Sequence, residues 1–593
     1  MFVKETKVKR SGREYSYLQL VEGYRDENGK VRHRVVANLG RKDALKDSGQ
    51  LEALAGSFAR LDPPMAGTRR TVGPLLLVEH FLRELNVKET VDGALPRSAR
   101  SILSVGEVVC ALIASRLCSP SPLYDIAGWA SGAAVHELLG IPPALLNDDR
   151  LGRALETFAV YAEDLRSRVA ASAIERFGVD AGRLHVDLST VGVSGAYEDS
   201  VLICKGWASD RRVARQVRTL QASTADGTVL YSRPDPGNAA ELTLVGASLQ
   251  RLLQISGPGL LIVCDSAMGQ PKTLREIDQA GVRFVVPLRA SAGFRQRFLT
   301  DAGHAALRPV RYLPEREARL PAEQRTRFKG VLRDWEIPGD DTHPLLKLRV
   351  AYIHSSEEAA QVADARERAL VKAKDALQRL RNGLGGRYYK TREQVQRRIG
   401  QILGVNITGL IDVTVTTRAG KLTVTWQRNQ DAIDTAASFD GIYALATNLP
   451  GRLSAGQVLR LYKDQQIVER RHRDMKQTLK VRPIFLHNDD RVYALLSIVG
   501  ISLLIFGLIE ARTRGALDPD QQLPGLLPEG RAARPTARNI LTAFQGLGIT
   551  YTHTGIQLDP LTDTQQHILE LLQIQPPWPQ QTDHALTSRG KWG

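Results

Sequence analysis

Cysteine is scarce in this sequence: four among 593 residues, at positions 110, 118, 204 and 264, with no CxxC pair and no zinc-ligand spacing. That excludes a disulfide framework and a structural zinc site, and fits buried thiols in a reducing compartment. No GxxxxGK[ST] loop occurs, which excludes ATP chemistry of the P-loop type. The opening Met1-Phe2-Val3-Lys4-Glu5-Thr6 lacks the apolar stretch of a secretory signal, so a cytoplasmic location is expected. Long apolar runs are missing with one exception, residues 492–509, at the lower edge of the roughly 17–25 residues that span a bilayer. Ser497, Gly500, Ser502 and Gly507 dilute that run, so it reads as a core helix buried on all sides, with no membrane partner. Acidic charge is short as well: 64 Asp and Glu against 80 Lys and Arg leave a net charge of +16. Such an excess attracts polyanions, and the phosphate backbone of a nucleic acid is the commonest one in a cell.

A chain of this length exceeds one ordinary core, so several domains are expected. Residues 1–43 read as a basic β-hairpin unit, with strands at 16–21 and 31–36 flanking Asn28-Gly29. Residues 44–180 turn helical, a region for DNA binding or assembly, with Asn147-Asp148-Asp149 supplying helix N-cap types. Residues 181–289 switch to strands. One runs over 183–195, and two more, at 213–222 and 228–233, pair across Asp226-Gly227. A helix (239–254), a strand (259–265), a helix (273–279) and a strand (283–288) follow. Residues 290–440 read as an inserted domain. It has a basic stretch near 308–333, a charged helix over 357–381 that stops at Gly383-Leu384-Gly385-Gly386, and a hairpin across Ala419-Gly420. Residues 441–512 return to strand and helix, and 513–593 form a Pro- and Gly-rich tail with a helical piece near 537–544. The fold class is therefore α/β: a core compatible with a ribonuclease-H-like sheet, interrupted by an insert with β-strands and a long helix, and preceded by the hairpin and the helical region.

Three acidic residues stand apart in settings suited to metal-dependent phosphoryl transfer. Asp187 lies inside the alternating run Leu184-His185-Val186-Asp187-Leu188-Ser189-Thr190, where His185, Asp187 and Ser189 share one strand face. Asp265 closes the apolar run Leu260-Leu261-Ile262-Val263-Cys264, at the carboxyl edge where open α/β sheets keep their sites. Glu469 is spaced by seven from both Tyr462 and Lys476, so on a continuous helix the three drift by only about 20° per step. Gln465 and Arg473 fall on that same face, while Leu461, Val468, Met475 and Leu479 form a parallel apolar row. A solvated helix with ordinary charge pairs would show one polar face; the joint phasing of both rows favours a site that grips a phosphate backbone. His185 and His472 lie close in sequence to these residues, and a lone histidine there is read as structural.

At these residues the chain resembles the DDE transposases of bacterial insertion sequences, specifically a long-chain branch of the insertion-sequence-four superfamily with its Tyr-x-x-Arg-x-x-x-Glu-x-x-x-x-x-x-Lys signature. Tyr462, Glu469 and Lys476 match at the right spacing, with Gln465 where Arg is usual. Asp187-Leu188-Ser189-Thr190 is similar to the first acidic motif, and Pro236-Gly237-Asn238 to the stretch after the third strand. The resemblance implies a metal-dependent endonuclease active in transposition, a form of DNA recombination. It implies cleavage at the ends of the element and strand transfer into target DNA, with Asp187, Asp265 and Glu469 holding two Mg²⁺ ions that Mn²⁺ can replace. It further implies that Tyr462, Lys476 and Arg473 contact DNA, that the protein is nucleoid-associated, and that a homodimer pairs two ends in a synaptic complex. The alternative is a transposase descendant that binds DNA without catalysis, for which the Gln465 departure speaks and against which the intact carboxylate set speaks.

Overall fold

The computed structural model describes residues 2–10, 13–25, 31–48, 50, 66–96, 102–207, 213–289, 292–318, 320–339, 344–418, 420–464, 466–481, 484, 486–519 and 521–581. The chain divides into two compact units, Met1–Gly257 with Gln466–Gly593, and Pro258–Gln465.

The first unit opens on a three-stranded antiparallel sheet, β1 (Phe2–Arg10), β2 (Arg13–Arg25) and β3 (Val31–Arg41), in that spatial order. The expected hairpin is β2 with β3; its Asn28-Gly29 turn lies outside the described residues. Strand β1 was not anticipated, because its Lys-Glu-Thr-Lys-Val-Lys core is charged on both faces, a pattern typical of edge strands. A short strand β4 (Arg69–Thr71) precedes the helices α1 (Leu75–Glu84), α2 (Val105–Cys118) and α3 (Asp148–Phe177). Helix α2 starts at a capping box, Ser104 with Glu107, and is buried on nearly every side. Helix α3 starts where expected, with the Asn147 side chain accepting from the Arg150 N–H.

Strands β5 (Arg183–Gly192), β6 (Cys204–Trp207), β7 (Val213–Thr224) and β8 (Val229–Pro236) follow. Strand β7 pairs antiparallel with each of the other three. The β7–β8 turn forms as expected, closed by Gly227 N–H to Thr224 O and Thr228 N–H to Asp226 Oδ1, both 3.0 Å. Just after β8, Gly237 is required by packing: a Cβ there would lie 1.9 Å from Gln216 O and 2.7 Å from Cys204 O. This is the physical reason for glycine in the Pro236-Gly237-Asn238 stretch. Helix α4 (Glu241–Ser256) leads out of this part.

The second unit begins with β9 (Leu261–Val263), α5 (Pro271–Gln279) and β10 (Arg283–Leu288). Three further strands follow: β11 (Arg308–Val310) and the start of β12 (Phe328–Ile337) lie in the stretch expected to be basic, and β13 (Leu346–Ser355) lies between that stretch and the charged helix. Helix α6 (Ser356–Asn382) ends at Gly383 as expected, and α7 (Arg392–Ile407) folds back on it. The hairpin β14 (Ile411–Arg418) and β15 (Lys421–Arg428) covers this helical pair, with Leu377, Leu380, Val395 and Val424 in one apolar cluster. The chain then re-enters the sheet as β16 (Ile442–Thr447) and continues into α8 (Ala455–Lys463). Within the unit the strand order is β11-β12-β13-β16-β10-β9, with β9 and β10 parallel and the other pairs antiparallel. Helix α8 packs on this sheet through Ala455, Val458 and Leu459, against Val263, Val285, Phe328 and Ile353.

Back in the first unit come α9 (Gln466–Arg473), a π-helical turn over Asp474–Thr478, and α10 (Asp489–Gly515). Helix α10 is the long apolar run, and it is buried within the protein as expected. Its glycines have a packing reason. A Cβ at Gly500 would sit 2.8 Å from the Ser232 side chain of β8, and one at Gly507 would sit 2.8 Å from Gly227 O. Helix α10 therefore lies directly on β8 and the β7–β8 turn. The tail contributes α11 (Ala537–Ala543), at the expected helical piece, and in addition β17 (Gly548–Thr552), β18 (Gly555–Leu558) and α12 (Asp563–Leu572). Strand β17 pairs with β4, so the tail shares a sheet with the strand that precedes α1.

Candidate active site

Asp187 sits in the middle of β5, opposite Gln221 of β7. Its Oδ1 accepts the Leu188 N–H at 2.8 Å and its carboxylate is half-buried. The strand is covered on both faces: Leu184 and Val186 are buried on one side, His185 and Ser189 on the other. His185 has no hydrogen-bond partner at either ring nitrogen, and burial, with Arg183 adding to it, pushes its pKa down to about 4. It is a neutral core histidine.

Helix α9 lies on β5 and β7. His472 makes the approach: its buried ring places Nε2 3.4 Å from Asp187 Oδ2, an electrostatic contact without hydrogen-bond alignment. Glu469 lies three residues before His472, so one helical turn separates it from the group that touches Asp187. Its side chain is exposed, with no partner among the described residues. Val468, Met475 and Leu479 are buried as the apolar row requires, and the Gln221 side-chain amide donates to Met475 Sδ at 3.2 Å. Arg473 is exposed and Lys476 half-buried.

The expected continuous helix through Tyr462, Glu469 and Lys476 is not one helix. Helix α8 ends at Lys463 and is capped at Asp464, α9 starts at Gln466, and the backbone widens into the π-turn where Lys476 lies. Within the first unit, the seven-residue step from Glu469 to Lys476 runs from α9 into the π-turn, which resets the 3.6-residue phase. Gln465 lies outside the described residues.

In the second unit Asp265 follows β9 by two residues and caps a short 3₁₀ turn, Ser266–Gly269, its Oδ1 accepting the Ala267 N–H at 2.9 Å. Tyr462, at the end of α8, packs against the apolar cluster of that unit, its ring centroid 6.4 Å from that of Tyr443. Lys463 is engaged there: Nζ pairs with Glu358 at 3.1 Å and sits 5.5 Å from the Tyr443 ring centroid.

Sequence reasoning missed the device that seats α9. Arg471 is fully buried and bonds Gly227 O (2.6 Å), Asp474 (3.1 Å) and Glu510 of α10 (3.2 Å). Arg470 and Arg514 reach the other oxygen of Glu510 at 2.9 and 2.8 Å, and the Ala537 N–H of α11 donates to Glu510 Oε2 at 3.2 Å. Burial would raise the Glu510 carboxyl, yet Arg471, Arg470 and Arg514 together hold it below its usual value. Its signal in sequence is slight: one glutamate closing an apolar run, and two adjacent arginines.

Carboxylate oxygens are the hard ligands that Mg²⁺ or Mn²⁺ take. No Lys or Arg side chain is paired with Glu469 or with Asp187 among the described residues, so in donor chemistry they fit a divalent ion. No group of three or more His, Cys, Asp or Glu side chains gathers closely enough to hold a metal among the described residues.

Comparison with family models finds three matches in chain order. Residues 3–64 match the IS1634 family transposase, N-terminal domain, and residues 68–170 match a domain of unknown function. Residues 186–505 match the transposase DDE domain, over more than half of the chain, from β5 into α10. No curated protein matches the chain.

Proposed function

The chain belongs to the DDE transposases, in the IS1634 family, and we propose that it cuts DNA at the ends of its own element and joins the freed ends to target DNA, with Asp187, Asp265 and Glu469 as its acidic set. The observation that carries this reading is the seating of α9 on β5. It sets the helix of Glu469 against the strand of Asp187 and leaves the glutamate facing outward. The order of elements supports a ribonuclease-H-like core. Three antiparallel strands (β5, β7, β8) are followed in the chain by a helix, then by two parallel strands that α5 links. The insert then corresponds to the segment between β10 and β16.

In this mechanism water attacks a phosphodiester phosphorus and the bond to the 3′ oxygen breaks, releasing a 3′-hydroxyl. That hydroxyl attacks a target phosphodiester, one P–O bond forming as another breaks. Two divalent ions, Mg²⁺ or in its place Mn²⁺, supply charge stabilisation on the entering and leaving oxygens when bound. The chain's own part is to hold the substrate. Tyr462, Lys476 and Arg473 serve as contacts to DNA phosphates, Tyr462 fixed by its packing against the sheet of the second unit. A homodimer brings two ends together.

The test is a donor plasmid carrying the gene with its native flanking DNA, sequenced for excision and new insertions beside a Glu469→Gln control. Movement lost in the control is the expected result. Equal movement in both removes Glu469 from the site, and DNA binding without movement in either removes the catalytic reading.

A further inference from the structure

The second unit carries a groove unrelated to the carboxylates. Its walls are β11 with the following Arg311, Tyr312 and Leu313, the segment around Ala322 and Arg325, and the start of β12 through Lys329. It is open, about 570 Å³, and its lining contains Arg311, Arg325, Arg327 and Lys329 with no Asp or Glu. Its floor is aromatic, with the Tyr312 and Phe328 rings in T-shaped contact at 5.3 Å.

The four cations differ in what they do. The Arg325 guanidinium donates to the carbonyls of Leu320 (2.8 Å) and Ala318 (3.1 Å), so it shapes the wall. Arg311, Arg327 and Lys329 are exposed, and none has a carboxylate at ion-pair distance among the described residues. In a unit that pairs Arg316, Arg366, Arg428 and Lys463 with acids, three unpaired cations around one concavity leave a local positive field. The groove also joins the Tyr462 helix. Phe328 and Val310 belong to the cluster under α8, Gly456 of α8 would place a Cβ 3.1 Å from Val310, and Lys463 Nζ lies 5.9 Å from the Phe328 ring centroid.

Resting on the transposase reading, we infer that this groove is a binding site for the phosphate backbone of duplex DNA, held by Arg311, Arg327 and Lys329 on a path continuous with the Tyr462 helix. Charge complementarity selects the ligand class: three unneutralised cations without an acid among them bind a polyanion, and each phosphate they neutralise releases a counterion.

The test measures binding of full-length protein to duplex DNA of its element's ends across a salt series, in EDTA so that no cutting intervenes. The wild type is compared with Arg311→Ala/Arg327→Ala/Lys329→Ala, all surface changes, and with a control triple, Arg368→Ala/Lys372→Ala/Arg379→Ala, on a helix face that also carries Glu367 and Asp375. The groove triple should reduce the slope of log K against log [salt] by about 0.9 per lost contact, roughly 2 to 3 in all, with an unchanged melting temperature. An unchanged slope overturns the inference, as does an equal loss in the control triple. The same series is run with one strand of that duplex alone, and a loss confined to the single strand overturns the duplex assignment. If the wild type itself fails to bind DNA, the transposase reading fails first, and that arm identifies which of the two has failed.

Discussion

Removing the Glu510 carboxylate is expected to unseat the helix of Glu469. Glu510 is almost wholly buried and accepts from three arginines and from the Ala537 N–H. In Glu510→Ala, Arg471, with a fully buried side chain, keeps only Asp474 and the Gly227 carbonyl, and Arg514 loses its partner on the same helix. Taking one member out of a buried pair costs about 3–5 kcal/mol, mostly through the charge left behind. Arg470 is about a third exposed and can turn to water, so it adds little. The assay is urea unfolding at pH 7 followed by far-UV circular dichroism, with Glu510→Gln as the shape-preserving companion falling between parent and Ala variant. The pH dependence has a definite sign. The folded carboxyl titrates below its usual value, so its stabilisation is complete above that value and is lost as pH falls through the lower folded one. The parent should therefore lose stability in acid over a window where Glu510→Gln shows a shallower slope. A Glu510→Ala variant within ~0.5 kcal/mol of the parent, a change typical of an unconstrained surface site, would refute the reasoning, because the loss of one of the two carboxylates that neutralise a buried Arg471 cannot be that cheap.

Three further outcomes are expected. Asp187→Ala should bind the element's ends as the parent does and lose cutting, read by gel shift and by nicking with Mg²⁺; cutting that survives removes Asp187 from the chemistry. Gly237→Ala should destabilise by about 1–3 kcal/mol or more, since its Cβ meets two backbone carbonyls that cannot step aside, and a midpoint unchanged in urea counts against that packing. Trp426→Ala should weaken the helix-pair-and-hairpin part of the second unit. The loss should stay below the ~3–5 kcal/mol of a fully buried ring, because this one is half-buried under Arg381, at 5.0 Å, and against that cluster; differential scanning calorimetry reads the loss.

Much of the strand and helix order was written locally. The alternation around Asp187, the Asp226-Gly227 turn, the apolar run before Asp265 and the caps at Asn147 and Gly383 are contacts between near neighbours, so composition and period reveal them. Periodicity failed where the phase is interrupted. Nothing within residues 462–476 signals that α8 ends and a π-turn begins, because both answer to packing elsewhere: α8 on the sheet of the second unit, α9 on β5 and β7. In β1, β11 and β12 charged side chains on partly exposed strands weaken the apolar alternation that marks a half-buried one, whereas β13 carries that alternation at Leu346, Leu348 and Val350 and is mostly buried.

The chain alone determined its excess of positive charge, its scarcity of cysteine, the apolar identity of α10 and the local settings of Asp187 and Asp265, since each depends on residue type or on spacing of a few positions. Only tertiary structure decided that His472 would meet Asp187, that Gly500 and Gly507 would let α10 lie on β8, that a tail strand would pair with Arg69–Thr71, and that Arg471 would find Glu510 some forty residues on. These are bonds between residues distant in sequence, and such partners are chosen by which surfaces the fold brings together.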